Sequence, residues 1–284
     1  MDANNNSILK NVGLDEMKGH RKNMEDISVI SILEAPGNPL FLAVYDGHNG
    51  KSTANYLATR FHRYLTEELN KYTNPSADEK LITSILEEVS MRIDEELFLQ
   101  WKDGGSSTRY DSGSTACIAL IFTDTIYVSN CGDCRCVMSF EDGTCLETID
   151  HKANLPSEAK RINHAGSYVQ NFGGVSRVGG VLAISRAFGD FFLKNRKYLS
   201  LKEQAVTAFP DVTRVDRNSL ESKIDFLIAA CDGVWDKLST DDVVTIVRKA
   251  RLNDESPRNV AAKITNQALI AGSQDNLSCI IAYL

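Results

Sequence analysis

The amino-acid sequence predicts an α+β fold in which mainly antiparallel sheets carry helix pairs on their outer faces. Three observations lead there. Short apolar runs of strand length recur along the chain, tight-turn residues join them in its middle third, and long amphipathic stretches come as consecutive pairs. With 284 residues, 43% of them hydrophobic, one domain spanning 1–284 is the simplest organisation.

The strand runs are 27–33, 40–45, 115–122, 126–129, 136–140, 226–231 and 277–283. Phe122-Thr123-Asp124-Thr125 and Glu141-Asp142-Gly143-Thr144 separate neighbouring runs as tight turns, which makes the middle of the chain an antiparallel meander. Between the second and third runs, Ala54, Leu57, Phe61, Leu65, Leu69 and Tyr72 fall on one helical stripe over 52–72. Leu81, Ile85, Val89, Ile93 and Leu97 do the same over 78–101. Ser239 with Asp242 opens a helix through Arg251, and Ser256-Pro257 supplies N-cap and first position of another ending at Gly272. Gly104-Gly105-Ser106-Ser107 and the stretch 195–204 are loop-like insertions, the second with the character of a flap.

Composition excludes several function classes. Lys and Arg number 31 against 38 Asp and Glu, a formal net charge of −7, with no basic block. Nucleic-acid and anionic-membrane partners are therefore not expected, because both need basic side chains to neutralise phosphate. No apolar stretch reaches membrane-spanning length, residue two is Asp rather than a myristoylation Gly, and no prenylation cysteine is visible. The seven cysteines are odd in number, lack a framework spacing and sit mostly inside apolar runs. A soluble monomer in the reducing cytoplasm or nucleus is the expectation.

One pattern repeats at the ends of the apolar runs: a carboxylate, in four of five instances next to Gly or Asn. Glu25-Asp26 precedes the first run, Asp46-Gly47-His48 follows the second, Gly132-Asp133 and Asp232-Gly233 follow later ones, and Asp275-Asn276 precedes the last. A single Asp-Gly pair is usually a turn former. Five such sites, each able to sit at a sheet rim, are harder to explain as turns alone. If they converge, each close pair costs about 4 kcal/mol at ~4 Å and an effective dielectric near 20, so a cluster demands cations. The donors are hard oxygens with no sulfur or imidazole cluster beside them, which selects Mg²⁺ or Mn²⁺ over Zn²⁺ or Cu²⁺. A water held between two such ions loses its proton near neutral pH and becomes a hydroxide suited to in-line attack on phosphorus.

Together with Gly19-His20-Arg21-Lys22-Asn23-Met24-Glu25-Asp26, Asp46-Gly47-His48-Asn49-Gly50, Gly132-Asp133-Cys134-Arg135, Asp150-His151-Lys152, Leu182-Ala183-Ile184-Ser185-Arg186-Ala187-Phe188-Gly189-Asp190 and Cys231-Asp232-Gly233-Val234-Trp235-Asp236, these residues resemble the metal-dependent protein phosphatase 2C family. The resemblance implies a four-layer α/β/β/α sandwich, two mainly antiparallel sheets flanked by antiparallel helix pairs. It implies hydrolysis of phosphoserine and phosphothreonine in proteins. Asp46 would bridge two metals, the Gly47 carbonyl would bind one, and Asp232 with Asp275 the other. Glu25 and Asp26 would hold metal-bound waters, and Asp133 with Asp232 would take a third, weaker ion. Arg21 matches the phosphate-binding arginine, whose fork pairs two phosphate oxygens. His48 matches the general acid that protonates the departing alkoxide.

Three positions depart from the family pattern: Asn49 for Gly, Cys134 for Ser and Ala153 for Pro. Asn accepts the left-handed backbone, so the first change is expected to be mild. Cys134 beside a ligand suggests sensitivity to oxidation. The rival readings are a catalytically inactive scaffold, argued against by the intact Asp46, Asp232 and Asp275; a two-metal phosphodiesterase or nuclease, argued against by the acidic composition; and a zinc module on Cys131, Cys134, Cys136, Cys145 and His151, which lacks paired Cys-x-x-Cys spacing.

Overall fold

Two five-stranded sheets form the centre of the computed structural model, which describes residues 8–103, 112–194 and 196–284. The loop expected at 104–107 lies outside these residues, as does Asn195. One sheet has the order β13 (Asp211–Asp216), β7 (Thr125–Cys131), β6 (Ala116–Ile121), β3 (Leu40–Tyr45), β2 (Ile27–Ile32). The other has the order β1 (Val12–Met17), β15 (Leu277–Tyr283), β14 (Ile224–Ala230), β8 (Arg135–Phe140), β9 (Cys145–Glu147). Every pairing in both is antiparallel.

Central strands read as unbroken apolar runs because both of their faces are buried. In β3, Leu40, Leu42 and Val44 point at the second sheet and meet Met138, Leu227, Ala229 and Ile280. The alternate residues Phe41, Ala43 and Tyr45 turn outward under α1 (Ser52–Leu69) and α2 (Glu79–Asp103), against Leu57, Phe61, Leu65 and Ile93. The outer face of the second sheet, through Val137, Phe226, Ile228 and Ile281, is covered by α5 (Thr240–Leu252) and α6 (Pro257–Ile270) with Val243, Val247, Val260 and Ile264. The layers are thus α/β/β/α, as expected. Ser239 with Asp242 forms the capping box of α5, and the Ser256 hydroxyl accepts from the Asn259 amide ahead of Pro257 in α6.

Several elements carry no apolar run and were not expected. Strand β1 lies at a sheet edge, passing so close to α6 that a Cβ on Gly13 would stand 2.0 Å from the Arg258 amide nitrogen. Strand β13 buries little beyond Val215. Helix α3 (Pro156–His164) and the hairpin β10 (Val169–Phe172) with β11 (Val175–Val178) lie between the sheets' sequences, alongside a short sheet of β4 (Gly47–His48), β5 (Gly113–Ser114) and β12 (Phe188–Gly189). Helix α4 (Asp232–Trp235) is a single turn.

The 195–204 insertion corrects one expectation. The Gln204 side chain donates to the Arg196 carbonyl at 2.8 Å and the Leu199 carbonyl at 3.0 Å and accepts from the Arg196 amide at 3.1 Å. That segment is pinned to itself, and none of its described residues borders the cleft below. The border comes from Arg177 and from Val181, Leu182, Ala183 and Ile184.

Candidate metal centre and active site

The loops at one end of the two sheets enclose a cleft of about 360 Å³. Asp46 leaves β3 and β4 follows at once. Its amide donates to the Thr115 hydroxyl at 3.1 Å, and the Thr115 amide donates back to the Asp46 carbonyl at 2.9 Å. Asp133 stands in the β7–β8 turn, which Gly132 makes possible at φ 114°, with a would-be Cβ 2.5 Å from Thr115 Cγ2. Asp232 opens α4 directly after β14. Asp275 precedes β15, where Asn276 donates to the Lys18 and Asn23 carbonyls, both at 2.9 Å, and accepts from the Glu25 amide at 2.8 Å. One asparagine therefore clamps the Arg21-to-Glu25 loop onto the end of the last strand.

Carboxylate oxygens of Asp46, Asp133 and Asp232 lie within 4.8 Å of one another. Burial, then the neighbouring Asp26, Asp232, Asp133 and Asp275, pushes the Asp46 pKa well above the carboxylate range. Asp232 is raised by burial and then by Asp133 and Asp236. Asp26 is driven up to about 7, by burial first, with a Ser278 hydroxyl at 2.8 Å opposing the rise. Such a nest is electrostatically incomplete, and its all-oxygen donor set fits Mg²⁺ or Mn²⁺.

The remaining expected residues fall as follows. Glu25 and Gly47 border the cleft. A Cβ on Gly47 would stand 2.5 Å from the Glu25 carbonyl, so the close approach needs glycine. Asp26 lies buried beneath the cleft lining rather than in it. Arg21 sits at the mouth, its side chain 57% exposed, donating to Asp275 Oδ2 at 2.6 Å and to the Gln274 carbonyl at 3.2 Å. His48 lines the cleft with Nε2 2.7 Å from Asp190 Oδ2. Burial alone would lower its pKa; the Asp190 carboxylate outweighs that and raises it. Asn49 adopts φ 54°, the left-handed backbone expected at that position.

Two side chains were missed by sequence reasoning. Lys152 donates to the Asp133 carboxylate, and although its burial disfavours charge, Asp133 and then Asp232 keep its pKa raised. Asp190, wholly buried, partners His48. Both stood inside quoted motifs, but a lone Lys or Asp looks like solvated surface until the fold supplies its partner.

Two other expectations change. Cys134 is fully buried with Sγ 3.1 Å from the Thr115 hydroxyl, and burial, then Asp46, pushes its thiol well up, which suppresses the reactive thiolate and removes the basis for oxidation sensitivity. The zinc module is not assembled: among the described residues the metal-competent group is the three aspartates, while Cys145 is exposed and Cys131, Cys134 and Cys136 are buried.

Comparison with known proteins agrees with this geometry. The family model "Protein phosphatase 2C" matches residues 10–277. A Caenorhabditis elegans relative named "Probable protein phosphatase 2C" is 33% identical over 292 residues, covering 99% of this chain and 76% of its own length. Mouse protein phosphatase 1B is 33% identical over 279 residues, covering 95% and 69% respectively. The chain spans only 49% of a longer rice relative that is 35% identical. Among solved structures, a phosphatase from a pathogenic strain of Toxoplasma gondii superposes with a TM-score of 0.77 at 26% identity, over 96% of this chain and 92% of that one. The chain belongs to the protein phosphatase 2C family of protein serine/threonine phosphatases.

Proposed function

We propose that this phosphatase is Mg²⁺- or Mn²⁺-dependent and hydrolyses phosphoserine and phosphothreonine in proteins by direct attack of water on phosphorus, without a phosphoenzyme. The observation that carries the reading is the convergence of Asp46, Asp133 and Asp232 from three separate strand ends, in a half-buried nest where burial and like charges raise the pKa of Asp46 and Asp232. Asp46, the Gly47 carbonyl, Asp232 and Asp275 would hold two ions, Glu25 and Asp26 would fix their waters, and Asp133 would hold a third. When bound, the ions supply an acidified water and neutralise charge at phosphorus.

The protein's own groups complete the site. Arg21, already swung over the cleft mouth by Asp275, presents a guanidinium to the phosphoryl oxygens of an incoming substrate. The His48 imidazolium, favoured by Asp190, gives its proton to the departing serine or threonine oxygen. The test is phosphate release from a phosphothreonine peptide with and without Mn²⁺ or Mg²⁺. Native protein should require the ion, and Asp46→Asn should lose activity at every ion concentration. Turnover in EDTA equal to that in Mn²⁺ would refute the reading.

A further inference from the structure

The 188–194 turn holds a carboxylate under conditions that stability alone does not call for. Asp190 is 0% exposed, sits in the left-handed backbone region at φ 52° and ψ 40°, and keeps its Oδ1 buried without a hydrogen-bond partner among the described residues. Asp is among the few non-glycine residues that accept that conformation, but an orphaned buried oxygen is unfavourable. Its other oxygen, Oδ2, meets His48 Nε2 at 2.7 Å. A carboxylate accepts, so the ring donates through Nε2, and Nδ1 is left as the nitrogen that can carry a transferable proton.

The surroundings over-determine this contact. The Gly189 amide donates to Asp94 Oδ1 at 2.9 Å, and Lys194 donates to both Asp94 oxygens at 2.9 and 2.8 Å and to the Ala187 carbonyl at 2.7 Å, with Asp94 and Lys194 side chains fully buried. This ion pair ties both sides of the turn to α2. Opposite it, Gly113 in β5 leaves the necessary space: a Cβ there would lie 2.1 Å from Asp190 Oδ2 and 2.1 Å from His48 Nε2. An unfavourable buried group held in place by its neighbours is a sign of pre-organisation.

We infer that Asp190 is the positioning residue of the leaving-group acid, holding the His48 ring in one orientation and one tautomer, with Gly113 and the Asp94–Lys194 pair maintaining the contact. This rests on the proposed role of His48. The experiment compares kcat on a phosphothreonine peptide, whose alkoxide needs a proton, with kcat on p-nitrophenyl phosphate, whose leaving group does not. His48→Ala, Asp190→Asn, the double variant and Gly113→Ala are measured at saturating Mn²⁺. Asp190→Asn should lower peptide turnover about 10- to 100-fold and aryl turnover less than about 3-fold, and the double variant should match His48→Ala alone. Gly113→Ala, which reaches the same contact from the neighbouring strand, should show the same selective loss. In native protein the His48 Nε2–H should give a nitrogen-15 resonance protected from solvent exchange, and Asp190→Asn should abolish that protection, a readout independent of activity. If His48→Ala discriminates between substrates but Asp190→Asn lowers both equally or adds to it, the positioning role is wrong. If His48→Ala itself lowers both equally, the acid role falls and this inference falls with it.

Discussion

The Lys152 ammonium donates a hydrogen bond to the Asp133 carboxylate, which is itself within 4.8 Å of Asp46 and Asp232. Among the described residues, Lys152 is thus the cation set directly against these three carboxylates. Lys152→Met removes it and should destabilise the metal-free protein by about 1–3 kcal/mol, between the values for exposed and for fully buried pairs. Mn²⁺ at about 100 times its Kd should return about 2.7 kcal/mol. Urea unfolding with and without Mn²⁺ measures both, and an unchanged metal-free midpoint would count against the electrostatic account.

Like-charge repulsion also predicts a stabilising loss of a ligand. Burial and neighbouring aspartates raise the Asp46 pKa, so replacing it by a neutral isostere relieves the metal-free fold. Asp46→Asn should melt higher than native protein in EDTA, by about 2–4 °C per kcal/mol relieved, and should lose the upward shift on adding Mn²⁺. Calorimetric scans in the two buffers decide it; a variant that melts lower in EDTA contradicts the prediction.

Away from the cleft, Glu158 governs the acid limit of stability. It is 1% exposed and accepts from Arg161 at 2.7 Å, Arg186 at 2.9 Å and the Ser185 hydroxyl at 2.6 Å. Burial would raise its pKa; Arg186 and Arg161 prevail and hold it at about 2, below the ordinary 4.5. A depressed carboxylate stabilises the fold above its unfolded value, and that contribution disappears as pH falls from about 4.5 through about 2. Glu158→Gln should cost about 3–5 kcal/mol at pH 7, with the gap to native protein narrowing below pH 4.5. Denaturation at pH 7, 4 and 3 provides the check, and a gap that widens on acidification would reverse the assigned sign.

Asn49 tests the backbone of the cleft loop. At φ 54° a β-branched side chain is strained, so Asn49→Val should destabilise by about 1–2 kcal/mol while Asn49→Gly stays within about 0.5 kcal/mol. Equal midpoints for the two variants would contradict a strained loop.

These predictions draw unequally on what could be read in advance. Strands 40–45 and 277–283 coincide with β3 and β15, because residues buried on both faces leave an unbroken apolar signature. Edge strands β1 and β13 and the 169–178 hairpin have no such signature, since solvent takes one of their faces and polar residues serve there equally well. At the site, Asp46, Asp133 and Asp232 were legible from their glycine neighbours at strand ends. Lys152 and Asp190 were not, because their roles exist only through partners 19 and 142 positions away.

The strand-end carboxylates are expected to form one divalent-cation nest. Crystals soaked in Mn²⁺ and measured for anomalous scattering test it most directly. Mn²⁺ peaks should lie about 2.0–2.2 Å from carboxylate oxygens of Asp46 and Asp232, with the Arg21–Asp275 contact released as Asp275 turns to the ion. Anomalous density elsewhere, or none between Asp46 and Asp232 at saturating Mn²⁺, would contradict it.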